Sequence, residues 1–116
     1  MADISIYHNH RCSKSRQALQ LLRDRGIEPA IVEYLKQPPT ETQIKRLLKL
    51  LAMEPRDLMR KKEAEYRALG LGDPKFGSDA LIKAMAQHPI LIERPIVVRG
   101  NRAVLGRPPE KALEIL

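Results

Sequence analysis

The chain contains one cysteine, Cys12, and the residues around it favour a reactive thiolate. The flanking segment, HNHR before and SKSR after, is polar and basic, which is unusual for a cysteine buried as a small apolar residue. The thiolate is the nucleophilic form, and nearby positive charge stabilises it. His8 could support the thiolate as an imidazolium or carry a proton, and Ser13 and Ser15 could donate hydrogen bonds to the sulfur. We interpret Cys12 as a nucleophile.

The spacing around Cys12 excludes two other kinds of cysteine chemistry. A phosphatase-type loop needs an arginine six positions after the cysteine, and that position holds Ala18. A Cys-x-x-Cys pair needs a second thiol at the position of Ser15. Because serine cannot form a disulfide, oxidised Cys12 must be resolved by an external thiol such as glutathione.

Three arginines beside prolines or a helix break are candidates for binding an oxyanion. Arg94 and Arg107 each precede a proline, and Arg60 lies at an expected break in a helix. Guanidinium groups suit tetrahedral oxyanions, because each can bind two oxygens. Pro95 stands directly before a predicted strand, and the sequence fits either a cis or a trans peptide bond there.

The predicted elements place Cys12 at the start of a helix. Residues 3–7 alternate as a strand, residues 13–25 form a helix that Gly26 ends, and residues 30–35 form a second strand. Strand, helix and strand within this length predict a βαβ unit with parallel strands. Unpaired N–H groups at the helix start would then favour a thiolate.

The rest of the chain predicts helices followed by a hairpin. Thr40 and Gln43 have the form of a capping box before a helix with a strong apolar stripe. The remaining elements are a broken helix over 55–69, a loop over 70–77, a helix over 79–87, strands over 96–98 and 103–105, and a last short helix ending at Leu116. The tight turn between these two strands falls at Gly100-Asn101.

The predicted order of elements, βαβ followed by helices and then ββα, is thioredoxin-like. It predicts an α/β fold with a mixed four-stranded sheet and a helical insertion at approximately residues 40–88. We expect one domain over residues 1–116, since the length is close to that of a typical domain.

The composition narrows the range of partners. A net charge of +7 attracts anions. Aromatic residues are only 3% and Trp is absent, so we expect no nucleic-acid partner. No apolar run approaches the roughly 20 residues of a membrane span, and the first ten residues lack a secretion signal. A single cysteine allows no internal disulfide, so we expect the reducing cytoplasm. We also expect a monomer.

The chain resembles the ArsC-type arsenate reductases, and in particular their short YfgD-type branch, within the thioredoxin-like superfamily. The resemblance covers essentially the whole chain. Its landmarks are Ile6-Tyr7-His8-Asn9, Cys12, Ser15, Glu33-Tyr34-Leu35, Pro38-Pro39-Thr40, Leu58-Met59-Arg60-Lys61, His88-Pro89-Ile90-Leu91, Arg94-Pro95-Ile96-Val97-Val98 and Arg107-Pro108. One departure is the segment after Cys12, because characterised reductases commonly carry Cys-Gly-Thr-Ser where this chain reads Cys-Ser-Lys-Ser.

The resemblance implies a function and a set of site residues. It implies a thioredoxin-like fold with an inserted helical subdomain, and the reduction of arsenate to arsenite with glutathione as co-substrate and glutaredoxin as partner. It implies no metal and no tightly bound cofactor. The implied roles are nucleophile for Cys12, thiolate support for His8 and Ser15, and anion binding for Arg60, Arg94 and Arg107.

Two alternatives remain open. The same thiol could act on a protein disulfide, a glutathione adduct or another oxyanion. The chain could also be a non-enzymatic regulator of the Spx type, which binds RNA polymerase. The typical Spx switch is a Cys-x-x-Cys pair, and Ser15 occupies the position of its second cysteine.

Overall fold

The computed structural model describes residues 3–116. Residues 1 and 2 of the predicted domain lie outside the described residues. The chain divides into two compact units. The first comprises the residues up to Gln37 together with Arg94–Leu116, and the second is Pro38–Glu93. The expectation of a single domain stays a prediction.

A four-stranded mixed sheet forms the first unit. Its strands are β1 (Ile4–Tyr7), β2 (Ala30–Val32), β3 (Ile96–Arg99) and β4 (Arg102–Leu105), in the order β2-β1-β3-β4. β1 pairs in parallel with β2 and antiparallel with β3, and β3 pairs antiparallel with β4. The predicted βαβ unit and the mixed four-stranded sheet are therefore confirmed.

The second strand is shorter than predicted. It ends at Val32 and not at residue 35, because the chain turns at Glu33, whose carbonyl accepts the N–H groups of Lys36 and Gln37. Tyr34 is fully buried within this turn. An aromatic residue that packs inward from a turn has the same sequence signature as one in a strand.

Helix α1 (Ser13–Asp24) packs against the sheet and positions the site. Gly26 follows it with a φ of 77°, as expected for a glycine that ends a helix. The core of this unit combines residues of α1, of β1 and β3, and of the 3₁₀ helix Pro109–Ile115. Its buried members are Ile4, Ile6, Ala18, Leu19, Leu22, Val97, Ala112 and Ile115.

The second unit is helical. It contains α2 (Glu41–Leu51), α3 (Pro55–Leu58), α4 (Ala64–Ala68), α5 (Ser78–Gln87) and the 3₁₀ helix Pro89–Leu91. Thr40 and Gln43 form the predicted capping box at the start of α2. The predicted break near Arg60 is the gap between α3 and α4, where Met59 forms an isolated bridge with Ile92. Within residues 3–116, none of the helices is both long and apolar enough to span a membrane.

Candidate functional site

Cys12 is the N-cap residue of α1. Its backbone is extended, with φ −91° and ψ 121°, and its N–H donates to the carbonyl of Asn9 over 2.9 Å. The thiol is partly exposed. The backbone N–H groups of Lys14 and Ser15 belong to the unpaired first turn of the helix, and they lower the pKa of the thiol. The sequence predicted this position from the order of strand, cysteine and helix.

Arg94 brings a positive charge to this sulfur from the loop before β3. Its side chain and its positive charge lower the pKa of the Cys12 thiol. The residue is 8% exposed, and its Nε and Nη1 atoms are buried without a hydrogen-bond partner among the described residues. A buried charged N–H group without a partner is costly. The site therefore presents donors suited to an anion beside the cysteine.

These contacts stabilise the thiolate. Burial raises the pKa of the Cys12 thiol, but the Ser15 N–H, the Arg94 side chain and the Lys14 N–H together outweigh it. The net result is a pKa below the usual value for cysteine. A lowered pKa increases the thiolate fraction near neutral pH, which is the condition for nucleophilic attack.

The backbone of Arg94 is fixed by the segment after β4. Nη1 of Arg107 donates to the Arg94 carbonyl over 3.0 Å, and the N–H of Gly106 donates to the Pro95 carbonyl over 2.8 Å. Both Arg94-Pro95 and Arg107-Pro108 are cis peptide bonds. The sequence analysis allowed either isomer at Arg94-Pro95 and made no prediction for Arg107-Pro108. The structure thus brings together Cys12, Arg94 and Arg107 within the first unit.

His8 and Ser15 form a buried pair at residues 8–12, the segment between β1 and α1 that we call the cysteine loop. The Ser15 Oγ lies 2.6 Å from the Nδ1 of His8 and accepts the N–H of Asn9 over 3.1 Å. Ser15 is fully buried, and His8 is 6% exposed. The Ser15 hydroxyl therefore contacts His8 and Asn9, whereas its backbone N–H lowers the pKa of the Cys12 thiol.

The surroundings of His8 favour the neutral form of its imidazole. Burial lowers its pKa, and the nearby His10 lowers it further, while Glu33 opposes both effects only in part. Of the two roles considered for His8, the imidazolium is thus disfavoured. The role that remains is a neutral partner for Ser15 or a carrier of protons.

Arg60 lies in the second unit, directly after α3 and Met59. Its Nε donates to the Oε1 of Glu63 over 3.0 Å, and its Nη1 donates to the Oε1 of Glu93 over 3.2 Å. Its backbone N–H donates to the Leu91 carbonyl over 2.7 Å. The guanidinium of Arg60 is thus paired with two carboxylates of its own unit.

Two residues of the site were missed by the sequence analysis. Asn9 holds the cysteine loop, since its Oδ1 accepts the N–H of Arg11 over 3.0 Å and its carbonyl accepts the N–H of Cys12. An asparagine whose side chain accepts the N–H of the residue two positions later forms an Asx turn, which is a recognisable local signal. Gly106 packs so closely on Pro95 that a Cβ would lie 2.8 Å from the proline Cγ. Nothing local in the sequence predicts that contact.

Comparisons with known proteins identify the family and the fold of this chain. The model of the ArsC family matches residues 7–115. The uncharacterized protein YfgD of Escherichia coli K12 is 50% identical over 97% of this chain and 96% of its own. The arsenate reductase of Neisseria meningitidis serogroup A is 45% identical, and the alignment covers both chains completely. The structure of an arsenate reductase from Vibrio cholerae matches with a TM-score of 0.95 and 52% identity, over 97% of each chain.

A more distant structure, an ArsC family related protein from Bacteroides fragilis, covers 100% of both chains at a TM-score of 0.85 and 21% identity. With the observed sheet, these matches confirm the predicted α/β, thioredoxin-like fold class.

Proposed function

The chain belongs to the ArsC family, and from that membership we propose that the protein reduces arsenate to arsenite through one nucleophilic cysteine, Cys12. Glutathione serves as co-substrate and glutaredoxin as partner, and no tightly bound cofactor is needed. The observation that supports this most is the buried side chain of Arg94, which lies beside a stabilised thiolate with two N–H groups unpaired among the described residues.

Arg94 is the main anion-binding residue in this proposal. A tetrahedral oxyanion beside Cys12 can accept hydrogen bonds from the buried Nε and Nη1 atoms. Arg107 supports this by holding the Arg94 backbone, and it adds positive charge next to the same loop. The family resemblance also assigns Arg60 to the anion, and we retain that role as part of the proposal.

The first chemical step joins sulfur to arsenic. The Cys12 thiolate attacks the As(V) atom and an S–As bond forms. One arsenate hydroxyl takes up a proton from solvent, its As–O bond breaks, and it leaves as water. Arsenic stays As(V) in this step, because no electrons are transferred to it. Positive charge from Arg94 stabilises the charge that accumulates on the remaining oxygens.

The second step is the reduction. The glutathione thiolate attacks the sulfur of Cys12, an S–S bond forms, and the electron pair of the S–As bond passes to arsenic. Arsenic leaves as As(III) in arsenite, and two thiol sulfurs are oxidised to one disulfide. Glutaredoxin then attacks the glutathione sulfur of this mixed disulfide and releases Cys12 as a thiolate.

His8 and Ser15 act on this reaction from beside the cysteine loop. The Ser15 backbone N–H helps to hold the thiolate, and the hydroxyl fixes the first turn of α1 against His8. A neutral His8 can act as a base and take a proton from the incoming thiol. We place the reaction in the cytoplasm, where thiols stay reduced, and propose a monomer as the active form.

The test is arsenite production with glutathione and glutaredoxin by the wild type, Cys12→Ser and Arg94→Ala. The wild type should turn over, Cys12→Ser should be inactive, and Arg94→Ala should lose most arsenate reduction. Lys45→Gln, an exposed change in the second unit, is the control and should match the wild type. No turnover by the wild type, or full turnover by Cys12→Ser, would refute the proposal.

The same variants separate arsenate reduction from general thiol exchange. The reaction of Cys12 with a neutral disulfide needs no anion clamp, so it should fall less in Arg94→Ala than arsenate reduction does. Equal losses in both reactions would favour a thiol–disulfide oxidoreductase with another substrate.

A further inference from the structure

A pocket of about 170 Å³ lies beside the cysteine loop in the first unit. One wall is the segment 8–11, which leads directly into Cys12. The other wall is the turn after β2 and consists of Glu33, Leu35 and Lys36. The anion site described above does not use this turn.

The pocket carries charges of both signs on exposed side chains. Arg11 and Lys36 supply two cations, and Glu33 supplies one carboxylate. The Glu33 Oε1 lies 3.7 Å from the Lys36 Nζ and 3.8 Å from the Nδ1 of His10. Exposed pairs of this length contribute little stability. A ligand with matching charges can therefore replace them at small cost.

The pocket lies next to the residue that carries the reacting sulfur. Arg11 in its wall directly precedes Cys12, and consecutive Cα atoms are about 3.8 Å apart. The carbonyl of Asn9, in the same wall, accepts the N–H of Cys12. A molecule that occupies this pocket is therefore bound beside the segment that holds the cysteine.

We propose that this pocket binds glutathione as the attacking thiol, with its carboxylates at Arg11 and Lys36 and its ammonium group at Glu33. The charges match, because glutathione carries two carboxylates and one ammonium group near neutral pH. Leu35, which is 38% exposed, offers an apolar surface between these contacts. This inference rests on the proposed function, since it assigns a site to the co-substrate of that reaction.

The direct test measures binding of S-methylglutathione, which has no free thiol, by calorimetry at low salt. The double variant Arg11→Gln/Lys36→Gln should bind about 2- to 30-fold more weakly than the wild type, as expected for the loss of two exposed charge contacts. Glu33→Gln should bind about two- to fivefold more weakly. Lys45→Gln, a matched exposed lysine with one long ion pair to Asp79, should bind as the wild type does.

A kinetic test uses two thiols as reductants. With glutathione, the double variant should show a raised KM for the thiol. With 2-mercaptoethanol, which has neither carboxylate nor ammonium group, its rate should equal that of the wild type. Unchanged S-methylglutathione binding in the double variant, or equal losses with both thiols, would overturn the pocket assignment.

The two proposals fail in different ways. Charge-dependent binding of S-methylglutathione supports the pocket even if no arsenite is formed, and that combination refutes only the reduction of arsenate. Arsenite production with a pocket variant that behaves as the wild type in both assays refutes only the pocket.

Discussion

Replacement of Gly106 by alanine tests how the Arg94 loop is held. A Cβ at this position would lie 2.8 Å from the Cγ of Pro95 and 3.5 Å from the Cβ of Ala18. Ordinary carbon contacts begin near 3.4 Å, so the two segments would have to separate by about 0.6 Å (3.4 − 2.8). Pro95 is among the fully buried side chains and has little room to move. The clash is steric, because the backbone of Gly106 does not have the positive φ that only glycine adopts easily.

The expected cost is that of an overpacked core. Gly106→Ala should lower the free energy of unfolding by about 1–3 kcal/mol. Gly72→Ala is the matched control, because its Cβ would meet Tyr66 at 3.6 Å, an ordinary contact, and its φ is not positive. That variant should stay within about 0.5 kcal/mol of the wild type or become slightly more stable.

Urea unfolding of the three proteins measures the difference, and iodoacetamide alkylation of Cys12 reports its effect on the site. Since the Gly106 N–H fixes the Pro95 carbonyl, displacement of this loop should shift Arg94 and slow the alkylation near neutral pH. A Gly106→Ala protein as stable as Gly72→Ala would refute the reasoning about this contact.

Two further predictions concern the buried pair of His8 and Ser15. Ser15→Ala should lose about 1–3 kcal/mol of stability in urea unfolding, since His8 and the Asn9 N–H lose a buried partner. Its Cys12 should keep nearly wild-type reactivity with iodoacetamide, because the backbone N–H remains; a large loss would show that the hydroxyl acts on the sulfur. Burial lowers the pKa of His8 in the folded protein, so on acidification His8 is protonated at a higher pH in the unfolded chain than in the folded one. The free energy of unfolding of the wild type should therefore fall as the pH drops below about 6.5. His8→Asn should flatten that dependence in urea unfolding, and identical pH profiles would contradict it.

Local signals predicted the elements that position Cys12. The glycine after α1 and the capping box before α2 follow from contacts between residues a few positions apart, so sequence alone identifies them. The thiolate at the helix start follows in the same way, from the position of Cys12 between a strand and a helix. The end of β2 was misplaced because Tyr34 is buried by tertiary packing from a turn.

The rest of the site depends on contacts between distant residues. The sequence shows Arg94 and Arg107 beside prolines, but it does not show that one guanidinium holds the carbonyl of the other. Arg60 was expected to face an anion, and its Glu63 partner three residues later is a local pair that the sequence could have revealed. Its second partner, Glu93, lies 33 positions away and becomes visible only in the fold.

The position of Ser15 also bears on how a dithiol enzyme could arise from this scaffold. A second sulfur three residues after Cys12 is a single codon change in principle. Here the Ser15 side chain is fully buried, and its hydroxyl already contacts the imidazole of His8 and the backbone N–H of Asn9. A Ser15→Cys protein would have to give up both partners and turn the new sulfur towards its neighbour before an internal disulfide could close. An internal disulfide in this scaffold therefore requires other residues to replace the contacts that Ser15 makes with His8 and Asn9.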